Sequence, residues 1–146
     1  MKVWTSPPAK REVEEEVRRF FSLLTRGKLE EARDAVAHAH DDWQSQLWSL
    51  WQDTYLISLE DDEDATLPAD TSLEGEVWLA RLDWLADLGI EERFHWRQRE
   101  ATVAAEGESF FVNVTYRGAV TDASAEFRLA RRQGGLVLMR EIIHVA

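Results

Sequence analysis

A run of alternating apolar and polar side chains near the C-terminal end constrains the fold more than any other feature of this sequence. Residues 110–120 repeat with a period of two, which is typical of a β-strand that buries one face. Two further apolar stretches, 125–132 and 136–145, follow breaks at 121–124 and 133–135. The pattern predicts an antiparallel meander whose inner face carries Phe110, Val112, Val114 and Tyr116.

The first part of the chain predicts helices that cover this face. Residues 6–8, a serine before two prolines, are typical of a helix start, and Gly27 is suited to end that helix in a left-handed conformation. A second, short helix follows, with Leu29, Ala32 and Val36 on its buried side. The apolar stripe of the first helix has helical spacing and consists of Val13, Val17, Phe20, Phe21 and Leu24.

The middle of the chain mixes helix, strand and loop signals. Asp41 and Asp42 predict the start of a third helical piece, with Gln44 completing a capping box. Alternation over residues 55–59 predicts a short strand. Residues 60–64 are all acidic and predict a mobile loop. Because this loop lacks the glycine and the ligand spacing of a calcium site, we expect no metal there.

Residues 71–105 predict one more helix and a fourth strand. Thr71 and Glu74 have the spacing of a capping box for a helix that ends at Gly89, and its tryptophans are interpreted as core residues. A strand is predicted over residues 92–105, with an internal bulge or bend. The order of elements predicts an α+β fold class.

Length and composition limit the class of protein further. The 146 residues have the size of one domain, 1–146, and 45% of them are apolar, which is enough for a core. No stretch of 18 apolar residues predicts a membrane span, and no secretory signal pattern is visible, so a cytoplasmic location is expected. The absence of cysteine agrees with that location. The sequence contains no glycine-rich phosphate loop, nucleophile elbow or metal-ligand spacing, so no cofactor is expected.

The charge is unevenly distributed along a chain whose net charge is −11. Residues 1–92 hold 9 basic and 22 acidic side chains, whereas residues 93–146 hold 8 arginines and 6 acidic side chains. The negative excess disfavours binding to nucleic acid or to an anionic membrane. It is interpreted either as a solubilising surface or as a surface for a basic protein partner.

The order of these elements resembles the nuclear transport factor 2-like superfamily, which includes the SnoaL-like and ketosteroid-isomerase-like proteins. The likeness covers nearly the whole chain and rests on the helix pair at 13–24 and 29–36, the joint at 25–28, the stretch 41–43 and the closing sheet. It implies a cystatin-like cone, in which a curved antiparallel sheet of four or more strands wraps around N-terminal helices and leaves a conical pocket. The long acidic loop and the tryptophans at 43–51 depart from the usual pattern.

The resemblance places candidate site residues on the strands that face the pocket. The aspartate and tyrosine of the isomerases have no match here, since Asp122 is predicted in a turn and no aspartate in a strand. The predicted ligand-binding residues are Trp96, Tyr116 and Glu141, with Phe20 and Phe21 partly closing an apolar cavity.

The orientation of the last strand stays open, because its odd-numbered and its even-numbered positions both carry apolar side chains, and either set can face inward. Glu141 either faces the pocket, where it is a candidate base near Tyr116, or it pairs with an arginine of the sheet. In the second case Arg140 and His144 are the polar residues that face inward.

Two classes of function are consistent with the sequence. The first is a non-enzymatic domain that binds a small apolar ligand or a basic protein, as immunity proteins of the superfamily do when they neutralise a toxin. The alternative is a small-molecule isomerase, cyclase or dehydratase that acts in the conical pocket. The missing catalytic pattern favours the first class.

The outer face of the sheet predicts a homodimer, which the resemblance also implies. Phe111 points outward if Phe110 points inward, and the last strand adds apolar side chains on either parity. A two-fold dimer hides such a patch against its own copy. The alternative is that the predicted helix at 74–88 covers it.

Overall fold

The computed structural model describes residues 1–145, with side chains as far as Ile143, as a layer of helices on one face of a six-stranded sheet. The helical elements are α1 (Lys10–Thr25), α2 (Leu29–Ala35), α3 (Trp43–Trp51), a π-helical turn (Gln52–Leu56), α4 (Ile57–Glu60), α5 (Val77–Ala80) and a 3₁₀ turn (Asp83–Asp87). The strands are β1 (Ala37–His38), β2 (Leu88–Ile90), β3 (His95–Trp96), β4 (Ser109–Tyr116), β5 (Ala119–Arg132) and β6 (Gly135–Val145). The predicted α+β class is confirmed.

The sheet is built on the closing meander β4–β5–β6, as the alternation predicts. Its strand order is β1-β6-β5-β4-β2, and β3 also pairs with β4. The pairing of β1 with β6 is parallel and the other pairings are antiparallel, so the sheet is mixed, whereas a wholly antiparallel sheet was predicted.

The core lies between α1 and the inner face of the meander. The predicted stripe of α1 is buried, and the residues predicted to face inward from β4 are each at most 6% exposed. The ring centroid of Phe127 lies 5.9 Å from that of Phe20 and 5.8 Å from that of Phe110. These rings place the middle of the inner face in the hydrophobic core.

Two predicted helix boundaries are wrong, because backbone groups there bond elsewhere. Helix α1 begins at Lys10 and not at residues 6–8, since Ala104 N donates to Pro8 O and Lys10 N donates to Thr102 O. The predicted helix at 71–89 is reduced to α5 and the 3₁₀ turn. Its predicted cap does not form, because Ser72 N donates to Asp70 Oδ1, and Leu88–Ile90 pairs with β4.

Two predicted strands are also wrong, the first because the segment is helical and the second because the strand is much shorter than predicted. Residues 55–59 continue the helix that starts at Trp43, because Leu47, Leu50 and Thr54 are buried at helical spacing and extend one packed face. The strand predicted over 92–105 is only His95–Trp96. Beyond it the chain turns towards α1, where Gln98 O accepts a hydrogen bond from the Lys10 ammonium.

The turn between β4 and β5 is not at residues 121–124. Arg117 and Gly118 both have positive φ, 51° and 81°, and form a two-residue turn that suits the twist of a hairpin. Strand β5 therefore begins at Ala119, and Asp122 lies within a strand, contrary to the prediction.

A bulge at Glu141 decides which way β6 faces. Phe127 pairs with Arg140, but the preceding residue of β5, Glu126, pairs with Ile142, so Glu141 is an extra residue on β6. Leu138 and Arg140 share the inner face before the bulge, and Ile143 returns to it afterwards. The apolar residues on the other parity, Val137 and Met139, are buried against Ala37 and Val3, so the exposed apolar patch is smaller than predicted.

Candidate functional site

The three predicted ligand-binding residues lie in separate places. Trp96 is buried on β3, where its ring stacks on Phe110 at 4.1 Å and its Nε1 donates to Glu14 Oε2 at 2.9 Å. Tyr116 is the last residue of β4, six positions from Phe110, which is roughly 20 Å along a strand. Trp96 thus joins the sheet to α1, while Tyr116 belongs to the opposite end of β4.

Glu141 lies on the outer face of the sheet. Its Oε1 is 2.6 Å from Nε of Arg128, a β5 residue directly opposite Met139. This is the arginine pairing that the sequence left open as the alternative. Arg140 faces inward, as that alternative requires, whereas the side chain of His144 lies outside the described residues. The role of these residues in ligand binding stays a prediction.

Arg140 is the most deeply buried charged side chain that the structure describes, with 0% exposure. Its Nη2 lies 2.6 Å from Asp42 Oδ1 and also donates to His40 O at 3.2 Å, and its Nε donates to His38 Nδ1 at 2.8 Å. A buried guanidinium needs such partners, because the loss of its hydration otherwise costs several kcal/mol. Asp42 precedes α3 but does not cap it, since its carboxylate is committed to Arg140.

His38 is held in one neutral tautomer by this network. Its Nε2 donates to Arg33 O at 2.7 Å, and its Nδ1 accepts from Arg140. Burial, and secondarily the positive charge of Arg140, lowers the pKa of His38 below its usual 6.5. Both ring nitrogens are therefore occupied, and His38 has no proton to exchange with a ligand. We conclude that the group around Arg140 is a structural tie between β1, β6 and the start of α3.

A cleft at the other end of β4 has the features of a binding site. We call it the Tyr116 cleft; it has a volume of about 250 Å³. The π-helical turn and α4 form one wall, and the start of β5 forms the other. Its lining residues include Asp53, Ile57, Ser58, Asp61, Tyr116, Val120 and Asp122.

Tyr116 lines this cleft with a buried hydroxyl that the chain bonds only weakly. The side chain is only 6% exposed, and its oxygen makes no well-formed hydrogen bond within residues 1–143. The Ser58 hydroxyl is close enough to interact with it and to lower its pKa slightly, while Ser58 Oγ donates to Tyr55 O at 2.6 Å. Burial raises the pKa of Tyr116, so the group is a neutral phenol at pH 7. A buried hydroxyl without a well-formed hydrogen bond costs stability, and a ligand that bonds it removes that cost.

The side chains that line the Tyr116 cleft suit a cationic ligand with an apolar stem. Arg117, whose guanidinium lies 5.2 Å from the Tyr116 ring, is outside this lining and is paired with Asp87 at 3.3 Å. Three carboxylates, those of Asp53, Asp61 and Asp122, line the cleft, and no basic residue does. Ile57 and Val120 at the rim are 40% and 57% exposed. An arginine or lysine side chain combines N–H donors with methylene groups that such a rim can contact. In the part of the chain described here, no group of three or more His, Asp or Glu side chains is arranged to hold a metal ion.

Sequence reasoning named Tyr116 as a candidate, for a cavity shared with Trp96 and Glu141, and did not name the carboxylates of this cleft. Asp122 was assigned to a turn, and Asp53 borders a segment that was assigned to a strand. The signal that could have found them is the helical spacing of Leu47, Leu50 and Thr54, which extends α3 towards the end of β4.

A second cavity, the Trp43 pocket, is larger and has a mixed apolar and polar lining. It encloses about 550 Å³ between α2, α3 and the segment 73–79, and it is lined by Trp43, Leu29, Leu47, Leu73 and Leu79 with a charged rim. The rim includes Asp42, whose Oδ1 is bound to Arg140, and Glu30, whose Oε2 is 2.6 Å from Arg33.

Comparison with known proteins identifies no relative: no protein-family model, characterised protein or solved structure matches this chain. Within residues 1–145, no helix has the length and apolar character needed to cross a membrane.

Replacing Asp42 should show the structural role of the buried pair. We expect Asp42→Asn to lower the free energy of unfolding by about 3 kcal/mol, because it leaves the charge of Arg140 uncompensated inside the protein. Urea denaturation measures this change. Asp41→Asn is the matched control, since Asp41 is exposed and adjacent, and should change stability by less than about 0.5 kcal/mol. Equal effects of both variants would contradict the assignment.

The tautomer of His38 makes stability depend on pH in a defined direction. The pKa of His38 is below 6.5 in the folded chain and near 6.5 in the unfolded chain, so between these values the unfolded chain binds more protons. We therefore expect the free energy of unfolding to fall as the pH drops from 7 through 6.5. His38→Gln should remove this part of the pH dependence in urea titrations. A histidine resonance that titrates at or above 6.5 for His38 would contradict the assignment.

Proposed function

We propose that this protein is a non-enzymatic binding domain that takes an arginine or lysine side chain of a basic protein partner in the Tyr116 cleft. The observation that carries the proposal is the buried Tyr116 hydroxyl, which makes no well-formed hydrogen bond within residues 1–143, in a cleft with three lining carboxylates. A guanidinium or ammonium N–H donor that reaches this oxygen satisfies a group that the folded chain leaves without a well-formed hydrogen bond. Its positive charge meets the carboxylates in a partly desolvated site, where the attraction is stronger than in bulk water.

The surroundings of the cleft support a basic partner. The acidic run 60–64 begins within α4, and residues 61–64 are exposed in the loop that follows it. With a net charge of −11, the chain attracts basic proteins over distances longer than a contact and raises their association rate. Neutralisation of a basic toxin, as in an immunity-type protein, is one role that suits this arrangement.

The same proposal includes the fold family. We infer a nuclear transport factor 2-like cone from the helix pair that precedes the meander and from the helical layer on its inner face. In this chain the aromatic contacts of Phe20, Phe110 and Phe127 occupy the inner face, which favours binding at the margins of the sheet over catalysis inside it. An isomerase, cyclase or dehydratase remains the alternative class.

The Trp43 pocket supports a second candidate, the binding of a small apolar ligand. Its volume of about 550 Å³ and its leucine and tryptophan lining are typical of such sites. The carboxylate of Asp42 at its rim is held by Arg140, so we assign it to positioning of the pocket wall and not to proton transfer.

Binding of an arginine-rich peptide tests the proposed cleft. We expect saturable binding at about 0.15 M salt, and much weaker binding of the same peptide with citrulline in place of arginine, because citrulline is uncharged. Tyr116→Phe should weaken binding roughly tenfold, since it removes the hydroxyl that the guanidinium bonds. The same substitution should leave the free energy of unfolding within about 1 kcal/mol of the parent, because that hydroxyl makes no well-formed hydrogen bond in the free protein.

Charge variants separate the cleft from general electrostatics. Asp122→Asn removes a carboxylate that lines the cleft, and Asp64→Asn removes one from the acidic run outside it. We expect only the first to weaken peptide binding clearly in calorimetry. Equal affinity for the citrulline peptide, or equal loss in both aspartate variants, would rule the cleft out as the binding site.

We also propose a homodimer through the outer face of the sheet. His95, Phe111, Glu126 and Ile142 form one row across four strands, and Phe111 and Ile142 are 41% and 39% exposed. A two-fold contact along this row covers both apolar side chains. Light scattering should give twice the chain mass of 16.9 kDa, and Phe111→Glu should reduce it to the monomer. Val103→Glu, at an exposed site outside the strands, should leave the dimer intact, and a monomeric parent would contradict the proposal.

A further inference from the structure

A cluster of cations lies at the edge of the sheet, at the opposite end of β4 from the Tyr116 cleft. Residues 93–99 carry three arginines, and this short stretch runs along the outer margin of β4. A cleft of about 220 Å³ opens between it and the start of α1. We call it the Lys10 cleft; it is lined by Lys10, Arg93, Phe94, His95, Trp96 and Arg99.

The lining of the Lys10 cleft is basic and aromatic, with no carboxylate among its residues. This composition contrasts with the net charge of −11 on the whole chain. Arg93 and Arg99 are exposed, and within the described residues neither makes an ion pair or a hydrogen bond through its side chain. Two guanidinium groups without a counter-charge at one small cleft produce a local positive potential that favours an anion.

Lys10 gives this cleft a built-in charged group. The residue is only 9% exposed, and its ammonium donates to Gln98 O and lies 5.0 Å from the centre of the Trp96 ring. Glu108 Oε2 lies 3.3 Å from Lys10 Nζ, but the geometry is that of an ion pair without a hydrogen bond. The charge of Lys10 is therefore paired within the chain, and the unpaired positive charge at this cleft is that of Arg93 and Arg99.

We propose that the Lys10 cleft binds the phosphate group of a small phosphate monoester. A phosphate with nearly two negative charges and three acceptor oxygens matches the two guanidiniums of Arg93 and Arg99 better than a carboxylate does. The Phe94 and Trp96 rings contribute apolar lining beside the anion. The net negative charge of the protein opposes a long polyanion such as nucleic acid and leaves a small anion as the ligand. This site shares no residue with the Tyr116 cleft, so either proposal stands without the other.

Titration with phenyl phosphate, inorganic phosphate and benzoate tests this site by NMR. We expect saturable binding of phenyl phosphate that moves the Trp96 Nε1–H resonance, with weaker binding of benzoate because it carries a single charge. Inorganic phosphate should bind more weakly than phenyl phosphate, because it lacks a ring to contact the aromatic lining. Equal affinity for inorganic phosphate would overturn the monoester assignment, and equal affinity for benzoate would overturn the choice of phosphate.

Arginine variants locate the bound anion. Arg99→Gln should weaken phenyl phosphate binding roughly tenfold, as expected for the loss of a charge-assisted hydrogen bond. Arg19→Gln is the matched control, because it removes the same charge from an exposed position of α1 outside the cleft lining, and it should change the affinity less than about twofold. Both arginines are exposed, so these variants do not depend on replacing the buried Lys10. Absence of saturable binding, or equal weakening in both variants, would overturn the proposal.

Discussion

The contact between α1 and the inner face of the β4–β5–β6 meander is the interaction on which the rest of the structure depends. Phe20 on the helix meets Phe127 on the central strand, and Phe127 stacks on Phe110 of the next strand. These rings are fully buried and provide the apolar area that stabilises a chain of this size. Because they occupy the middle of the inner face, polar chemistry is found at the two ends of the sheet strands and along the sheet margins.

The bulge at Glu141 has the largest local consequence. It turns Glu141 outward to Arg128 and leaves Arg140 facing inward, where Asp42, His38 and the carbonyl of His40 surround the guanidinium. It also frees the N–H of Ile143, which donates to Gln46 Oε1 at 2.5 Å. One extra residue in β6 therefore attaches the start of α3 to the sheet by two buried polar contacts. Both faces of β6 are apolar in the sequence before the bulge because Val137 and Met139 pack against Ala37 and Val3 on the outer side.

Opposite electrostatic character at the two ends of β4 gives the molecule two distinct candidate sites. The Tyr116 cleft is lined by carboxylates, and the Lys10 cleft by cations, roughly 20 Å apart along the strand. The Tyr116 cleft contains a buried hydroxyl without a well-formed hydrogen bond, and the Lys10 cleft is bordered by the exposed Arg93 and Arg99, which make no ion pair within the described residues. A buried hydroxyl of this kind costs stability, and a ligand that bonds it recovers it.

The sequence by itself determined the α+β class, the meander, the buried stripe of α1 and the inward face of β4, because these follow from local periodicities that one face of a strand or helix imposes. It did not determine which face of the sheet carries the Glu141 side chain. A one-residue bulge exchanges the inward and outward positions of a strand, and the sequence does not reveal it when both sets of positions are apolar. It also misplaced Asp122 and residues 55–59, whose conformations depend on pairing and packing with distant segments. Only the tertiary structure brought Asp53, Asp61 and Asp122 into one cleft with Tyr116, because the π-helical turn and α4 pack against the start of β5 at one end of β4. At the other end of β4 it brought Lys10 of α1 to Arg93 and Arg99, which are more than 80 residues away in the chain.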